Sequence, residues 1–250
     1  MAFKNLVLSA VAAATVLSAV PAGAVQVVFA KIDLLNADRN FLWRRTNSTG
    51  GTFNTTSTPG AINPGATSIL FSLVGSPVPL SVTANFLLQG TTVADPLGSN
   101  NPNFSQQIDS FTFNITAANA FCWGPSCFNA GDSLLSGSVQ NSRITGTLGQ
   151  TTALFSGVGP GATVSFTSPL VSFDPGSNLG FNFDLTGMDR VLAGAAQNSI
   201  GSFRSQISGT FSSDPEATFN VPEPGTWALM IIGMGLVGAA RRRRRTVVAA

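Results

Sequence analysis

Few residues in this chain have the types and spacing to do chemistry. Its two cysteines lie in Phe121-Cys122-Trp123-Gly124-Pro125-Ser126-Cys127. Four residues around a Gly-Pro turn separate them, the spacing of a disulfide that staples a loop in an oxidising compartment. A redox site would show Cys-x-x-Cys, and two sulfurs in a chain without histidine make a poor metal set. The lack of histidine also removes Ser-His-Asp and Cys-His mechanisms, and Lys31 is the one lysine between the two ends, so a Ser-Lys pair has a single candidate. Two carboxylates suffice for a glycosidase. The acids here, however, read as turn and cap residues: Asp95, Asp174 and Asp214 precede prolines, Asp132 follows a glycine, and Asp33, Asp38 and Asp189 flank strand ends. The expectation is a protein that is not an enzyme and carries no cofactor, with an exported hydrolase as the least favoured alternative.

Binding chemistry is also sparse. Asp33, Asn36, Asp38 and Asn40 form an oxygen-rich cluster, but they lack the glycine and terminal Glu of a calcium loop and read first as a polar turn. Trp43 and Trp123 are candidate sugar contacts if both are exposed on one surface; the competing reading places them in the core or over a disulfide. The Asn-x-Ser/Thr triplets at Asn47, Asn54 and Asn114 are ordinary in a chain this rich in Ser, Thr and Asn.

Charge excludes one class of partner. Charged residues make up 10% of the 250, and the formal +2 comes from Lys4 and the run Arg241, Arg242, Arg243, Arg244, Arg245. Between Val25 and Val221 seven basic residues face ten acidic ones, so the body is mildly acidic. Nucleic acid, which needs clustered Lys or Arg, is not an expected partner.

The elements that must position these residues are strands. Leu80, Val82, Ala84 and Phe86 alternate with polar residues, as do Phe111, Phe113 and Ile115, and Leu179, Phe181, Phe183 and Leu185. Shorter runs occupy Val27 to Leu35, Ile69 to Val74, Val164 to Phe166, Phe203 to Phe211 and Ala217 to Val221. Turn residues such as Asn63-Pro64-Gly65, Gly159-Pro160-Gly161 and Asp174-Pro175-Gly176 separate them. Asn47 to Gly65 reads as a loop or hairpin, and the best helical stretch, Met188 to Gln197, is short and interrupted by glycine. This pattern predicts an all-β domain over residues 25–215, a β-sandwich of jelly-roll or Greek-key connectivity, with a linker over 216–224.

The ends supply an address. Lys4, the apolar stretch Leu6 to Val20 and Ala22-Gly23-Ala24 read as a signal peptide over 1–24, cleaved at the small-x-small site formed by Ala22 and Ala24. At the other end, Pro222-Glu223-Pro224 precedes an uncharged apolar segment over 225–240 that begins near Trp227, and the five arginines follow in a cytoplasmic tail over 241–250. As a helix its 16 residues rise about 24 Å, which snorkelling arginines would extend toward a hydrocarbon core of about 30 Å. The arginines hold that end inside while the signal peptide sends the body out.

Pro-Glu-Pro, two residues, Trp-Ala, a Met/Ile/Gly-rich span and an Arg cluster, in that order, resemble the PEP-CTERM sorting signal. The resemblance covers about 25 residues and implies recognition of Pro222, Glu223 and Pro224 by an exosortase, a membrane-embedded Cys protease or transpeptidase. Glu223 would then be a recognition element. The resemblance further implies a protein held in the inner membrane with its domain in the periplasm, then moved to the cell surface or beyond, and linked to exopolysaccharide, biofilm or floc formation. A carbohydrate-binding module on the cell surface is the alternative.

Overall fold

The structure, a computed structural model, describes residues 26–46, 50–92, 102–157, 161–193, 200–220 and Met234. Its strands, in chain order, are β1 (Val27–Leu34), β2 (Phe41–Arg45), β3 (Gly51–Thr55), β4 (Thr67–Leu73), β5 (Leu80–Thr92), β6 (Asn103–Ala117), β7 (Phe121–Trp123), β8 (Ser126–Phe128), β9 (Ser133–Thr147), β10 (Ala153–Ser156), β11 (Thr163–Thr167), β12 (Val171–Ser172), β13 (Asn178–Thr186), β14 (Phe203–Asp214) and β15 (Thr218–Phe219).

Several pairs act as one broken strand. β1 and β2 lie end to end along the same edge of β14, with Ile32 opposite Gly209 and Phe41 opposite Ser205. β3 and β4 share one edge of β5 in the same way, as β10 and β11 share one edge of β9. The first two breaks lie side by side and are tied together: the Thr56 amide donates to the Asn40 carbonyl at 2.7 Å, and the Asn40 Nδ2 donates to Thr67 Oγ1 at 2.8 Å. Thr55 Oγ1 accepts from the Leu88 amide at 2.9 Å, which fills the gap in the ladder.

Counted this way, eight antiparallel positions follow one another around a ring: β1/β2, β3/β4, β5, β6, β9, β10/β11, β13 and β14, which pairs back to β1 and β2. The all-β expectation holds, and facing walls of sheet enclose one core as in a sandwich. The connectivity is an up-and-down meander instead of the expected jelly roll or Greek key. Each position pairs with its sequence neighbour, and pairing the last to the first closes the ring except along β11, which among the described residues is bonded to β9 alone.

Eight positions leave an interior just wide enough for side chains. Phenylalanines fill it and meet ring to ring from opposite walls. Centroids are 5.3 Å apart for Phe53 and Phe155, 5.8 Å for Phe86 and Phe183, and 5.2 Å for Phe113 and Phe211. Such pairs contribute about 0.5–1.5 kcal/mol each beyond area burial. Inward glycines make the room. A β-carbon at Gly90 would collide with the Phe53 and Phe111 side chains, at Gly137 with the Phe113 ring, at Gly157 with Phe181 and at Gly209 with Phe183. The abundance of Gly and Phe therefore has a physical reading in part: these four glycines make room for rings, and an interior of stacked rings has little use for a tyrosine hydroxyl that needs a partner, in a chain with no Tyr.

Both ends of the domain leave the barrel together. Val27 pairs with Ser213, and Gln26 Oε1 accepts from Ser212 Oγ at 3.0 Å. The last strand, β15, pairs with β12, and the Asn220 amide donates to the Leu170 carbonyl at 3.0 Å. The folded unit thus runs to Asn220, beyond the expected boundary at 215, because burial of Ala217 and the β15 pairing anchor residues assigned to the linker.

Candidate functional site

The expected disulfide is present: Cys122 and Cys127 are bonded and sit directly opposite each other in the β7–β8 hairpin. The hairpin is fastened to the barrel end through Trp123, whose Nε1 donates to the Val78 carbonyl at 3.0 Å.

The tryptophans are not sugar platforms. Trp43 has 0% exposure and stacks on Phe53 with centroids 6.1 Å apart, while Trp123 is 4% exposed. Neither offers a ring face to a ligand, because the apolar area of each is needed to close the core. The oxygen-rich cluster does not converge either. Asp33 pairs with Lys31 at 2.9 Å, Asn36 Oδ1 caps the Asp38 amide at 3.1 Å, and Asn40 is buried against Thr67. Among the described residues no group of three or more potential ligands could hold a metal ion.

Carboxylates fill local roles at turns. Asp132 Oδ2 accepts from the Asn129 amide at 2.7 Å, and Asp189 Oδ1 accepts from the Arg204 amide at 2.9 Å. The signal-cleavage residues Ala22 and Ala24, the motif residues Pro222, Glu223, Pro224 and Trp227, and the five arginines lie outside the described residues. So does the expected membrane segment apart from Met234; among the described residues no helix is long and apolar enough to cross a membrane.

The structure adds a site that sequence reasoning missed. A groove of about 670 Å³ runs over the outer wall where β3, β5, β6 and β9 lie side by side. Its floor is two polar rungs crossing the strands. In one, Asn54, Gln89, Thr112, Ser138 and Ser165 stand in register on β3, β5, β6, β9 and β11. In the other, Arg44, Thr52, Thr91, Ser110, Gln140 and Thr163 do so, starting from β2. Neighbouring strands are about 4.8 Å apart, so each rung presents a hydroxyl or amide at that interval. At the β9–β11 end of one rung the Ser138 and Ser165 hydroxyls are 2.8 Å apart and bond to each other.

One side of the groove is the loop over residues 56–66, which fills the break between β3 and β4. Arg204 Nη2 donates to the Ala61 carbonyl at 2.6 Å and the Gly65 amide to the Thr55 carbonyl at 2.9 Å, pinning the loop. This stands Ile62, 60% exposed, with Asn63 and Pro64 along the groove as a partly apolar wall. Among the described residues no Asp or Glu lines the groove, and Arg44 is the one charged residue that does. The alternation of Gln89 and Thr91, and of Ser110 and Thr112, marks a solvent face in sequence; the register that lines them up across strands does not show there.

Comparison with known protein families identifies the tail. Residues 220–245 match the family model of the PEP-CTERM protein-sorting motif. Such a motif marks an exported, membrane-anchored protein recognised by an exosortase. No curated protein and no solved structure matches the chain significantly.

Proposed function

We propose that a chain bearing this sorting motif is a non-catalytic envelope protein. In this reading the signal peptide exports it, the segment over 225–240 holds it in the inner membrane, and an exosortase processes it at Pro222-Glu223-Pro224. The barrel then serves at the cell surface or in the extracellular matrix, linked to exopolysaccharide or biofilm. The observation that carries this reading is the match over residues 220–245 at the C-terminal side of a folded domain.

Three features support it. Both ends of the domain emerge at one end of the barrel, so a single membrane tether would leave the opposite end and the outer wall facing away. The Cys122–Cys127 bond suits an oxidising compartment. The interior is filled by rings, which puts any encounter with a partner on the polar, sparsely charged outer wall. The groove favours the second reading, a carbohydrate-binding module on the cell surface.

Cell fractionation tests the proposal. In cells lacking exosortase the chain should accumulate in the inner membrane, and restoring the enzyme should move it to the surface or medium. An identical distribution with and without the enzyme would reject it.

A further inference from the structure

We propose that the groove over β3, β5, β6 and β9 binds a neutral polysaccharide strand laid along the two polar rungs. This deepens the envelope reading and rests on it for biological context, but its chemistry stands on the groove alone.

The lining excludes other occupants one by one. A polyanion needs clustered cations, and the groove offers Arg44 at one end. A metal needs carboxylates or imidazoles, and among the described residues none line it. A peptide adding itself as a strand needs an open edge, and β5, β6 and β9 are each paired on both sides. A wholly apolar ligand would leave the hydroxyls and amides that share this lining with apolar atoms desolvated without compensation.

A neutral polysaccharide fits each of these features. Its hydroxyls are donors and acceptors together, as are the Ser, Thr, Asn and Gln side chains of the rungs. A polymer repeats, and so does the floor, at about 4.8 Å along a rung and about 6.7 Å between rungs. Sugar rings also carry apolar C–H faces, for which Ile62 and Pro64 form the matching wall. The short Ser and Thr side chains of the rungs lose little rotamer freedom on binding, unlike the Lys and Glu of an ordinary solvated face.

Affinity electrophoresis of the full chain in mild detergent tests this, using native gels cast with dextran, hydroxyethyl cellulose or galactomannan, and with alginate as the acidic polymer. We expect retardation in at least one neutral gel. The double substitution Gln89→Ala with Thr112→Ala should weaken it at least fivefold in apparent Kd, while Thr210→Ala on the opposite wall leaves it unchanged. Near-UV circular dichroism checks that each variant keeps its packed rings. No retardation in any neutral gel, retardation insensitive to the double substitution, or retardation in alginate alone that Arg44→Ala abolishes would each overturn the proposal. Sorting is read separately: the groove variants should still leave the membrane when exosortase is present, so a failed groove and a failed sorting reading give different results.

Discussion

Gly90→Ala is the sharpest probe of the interlocked interior. The added β-carbon would sit closer than 3.0 Å to both the Phe53 ring and the Phe111 side chain, a distance real β-carbons do not keep. Phe53 cannot simply swing away, since its ring is 1% exposed and packed against Phe41, Trp43, Phe111 and Phe155. Overpacking of this kind costs about 1–3 kcal/mol. Replacing glycine also narrows the unfolded ensemble, which offsets about 0.4–1 kcal/mol. The expected net loss is about 1–2 kcal/mol, or roughly 2–8 °C in Tm for a domain of this size. The assay is thermal and urea unfolding of the full chain in mild detergent, followed by near-UV circular dichroism. A second variant isolates the ring's share: with Phe53→Leu in the background, Gly90→Ala should cost about 0.5 kcal/mol less, because neighbours that share a space are not additive, while the contacts with the Phe111 β-carbon and the Ser110 carbonyl remain. A neutral or stabilising Gly90→Ala, or strict additivity in the pair, would refute the account of glycines making room for rings.

Other expectations follow from the same geometry. Replacing Cys122 and Cys127 with serine should cost the β7–β8 hairpin up to about 2 kcal/mol by the loop-entropy relation, with faster amide exchange there; matching losses in β6 and β9 would contradict a local role. In a Trp227→Phe chain, the two remaining tryptophans should resist acrylamide quenching because both are buried, and quenching close to that of free tryptophan would show that Trp43 or Trp123 is exposed after all. Arg204→Ala removes the donor to the Ala61 carbonyl, a charged hydrogen bond of about 1.5–3 kcal/mol. Amide exchange over residues 56–66 should rise and retention by neutral polysaccharide should fall; unchanged exchange would mean the loop is held by something else.

Much of the fold can be read before any coordinates. The period-two runs at Leu80, Phe111, Leu179 and Phe203 became β5, β6, β13 and β14, since β5, β13 and β14 bury one face over most of their length and β6 does so from Phe111 to Ala117. β9 escaped because its burial parity changes at Asn141, which has φ of 56°, so Val139 and Ile144 point inward but not on one alternation. β2 and β3 escaped because they are five residues each and flank a Ser/Thr/Gly-rich hairpin that reads as loop. Ring closure was illegible for a different reason: pairing of β14 with β1 joins residues nearly 190 apart, and nothing local encodes it. The groove depends on that register too, so sequence placed the sugar-binding chemistry on tryptophans that the core had already taken. The sorting tail was legible because its order of residues is contiguous and owes nothing to tertiary structure.

The central claim is that the tail addresses the domain. Intact-mass spectrometry of the protein from membranes and medium, with Pro222-Glu223-Pro224 intact or replaced by alanines, tests it most directly. The account predicts a mature form that begins near Val25, ends near residue 224 and leaves the membrane only when the motif is intact. A chain that keeps its mass through Arg245 in both cases, and stays in the membrane in both, would contradict it.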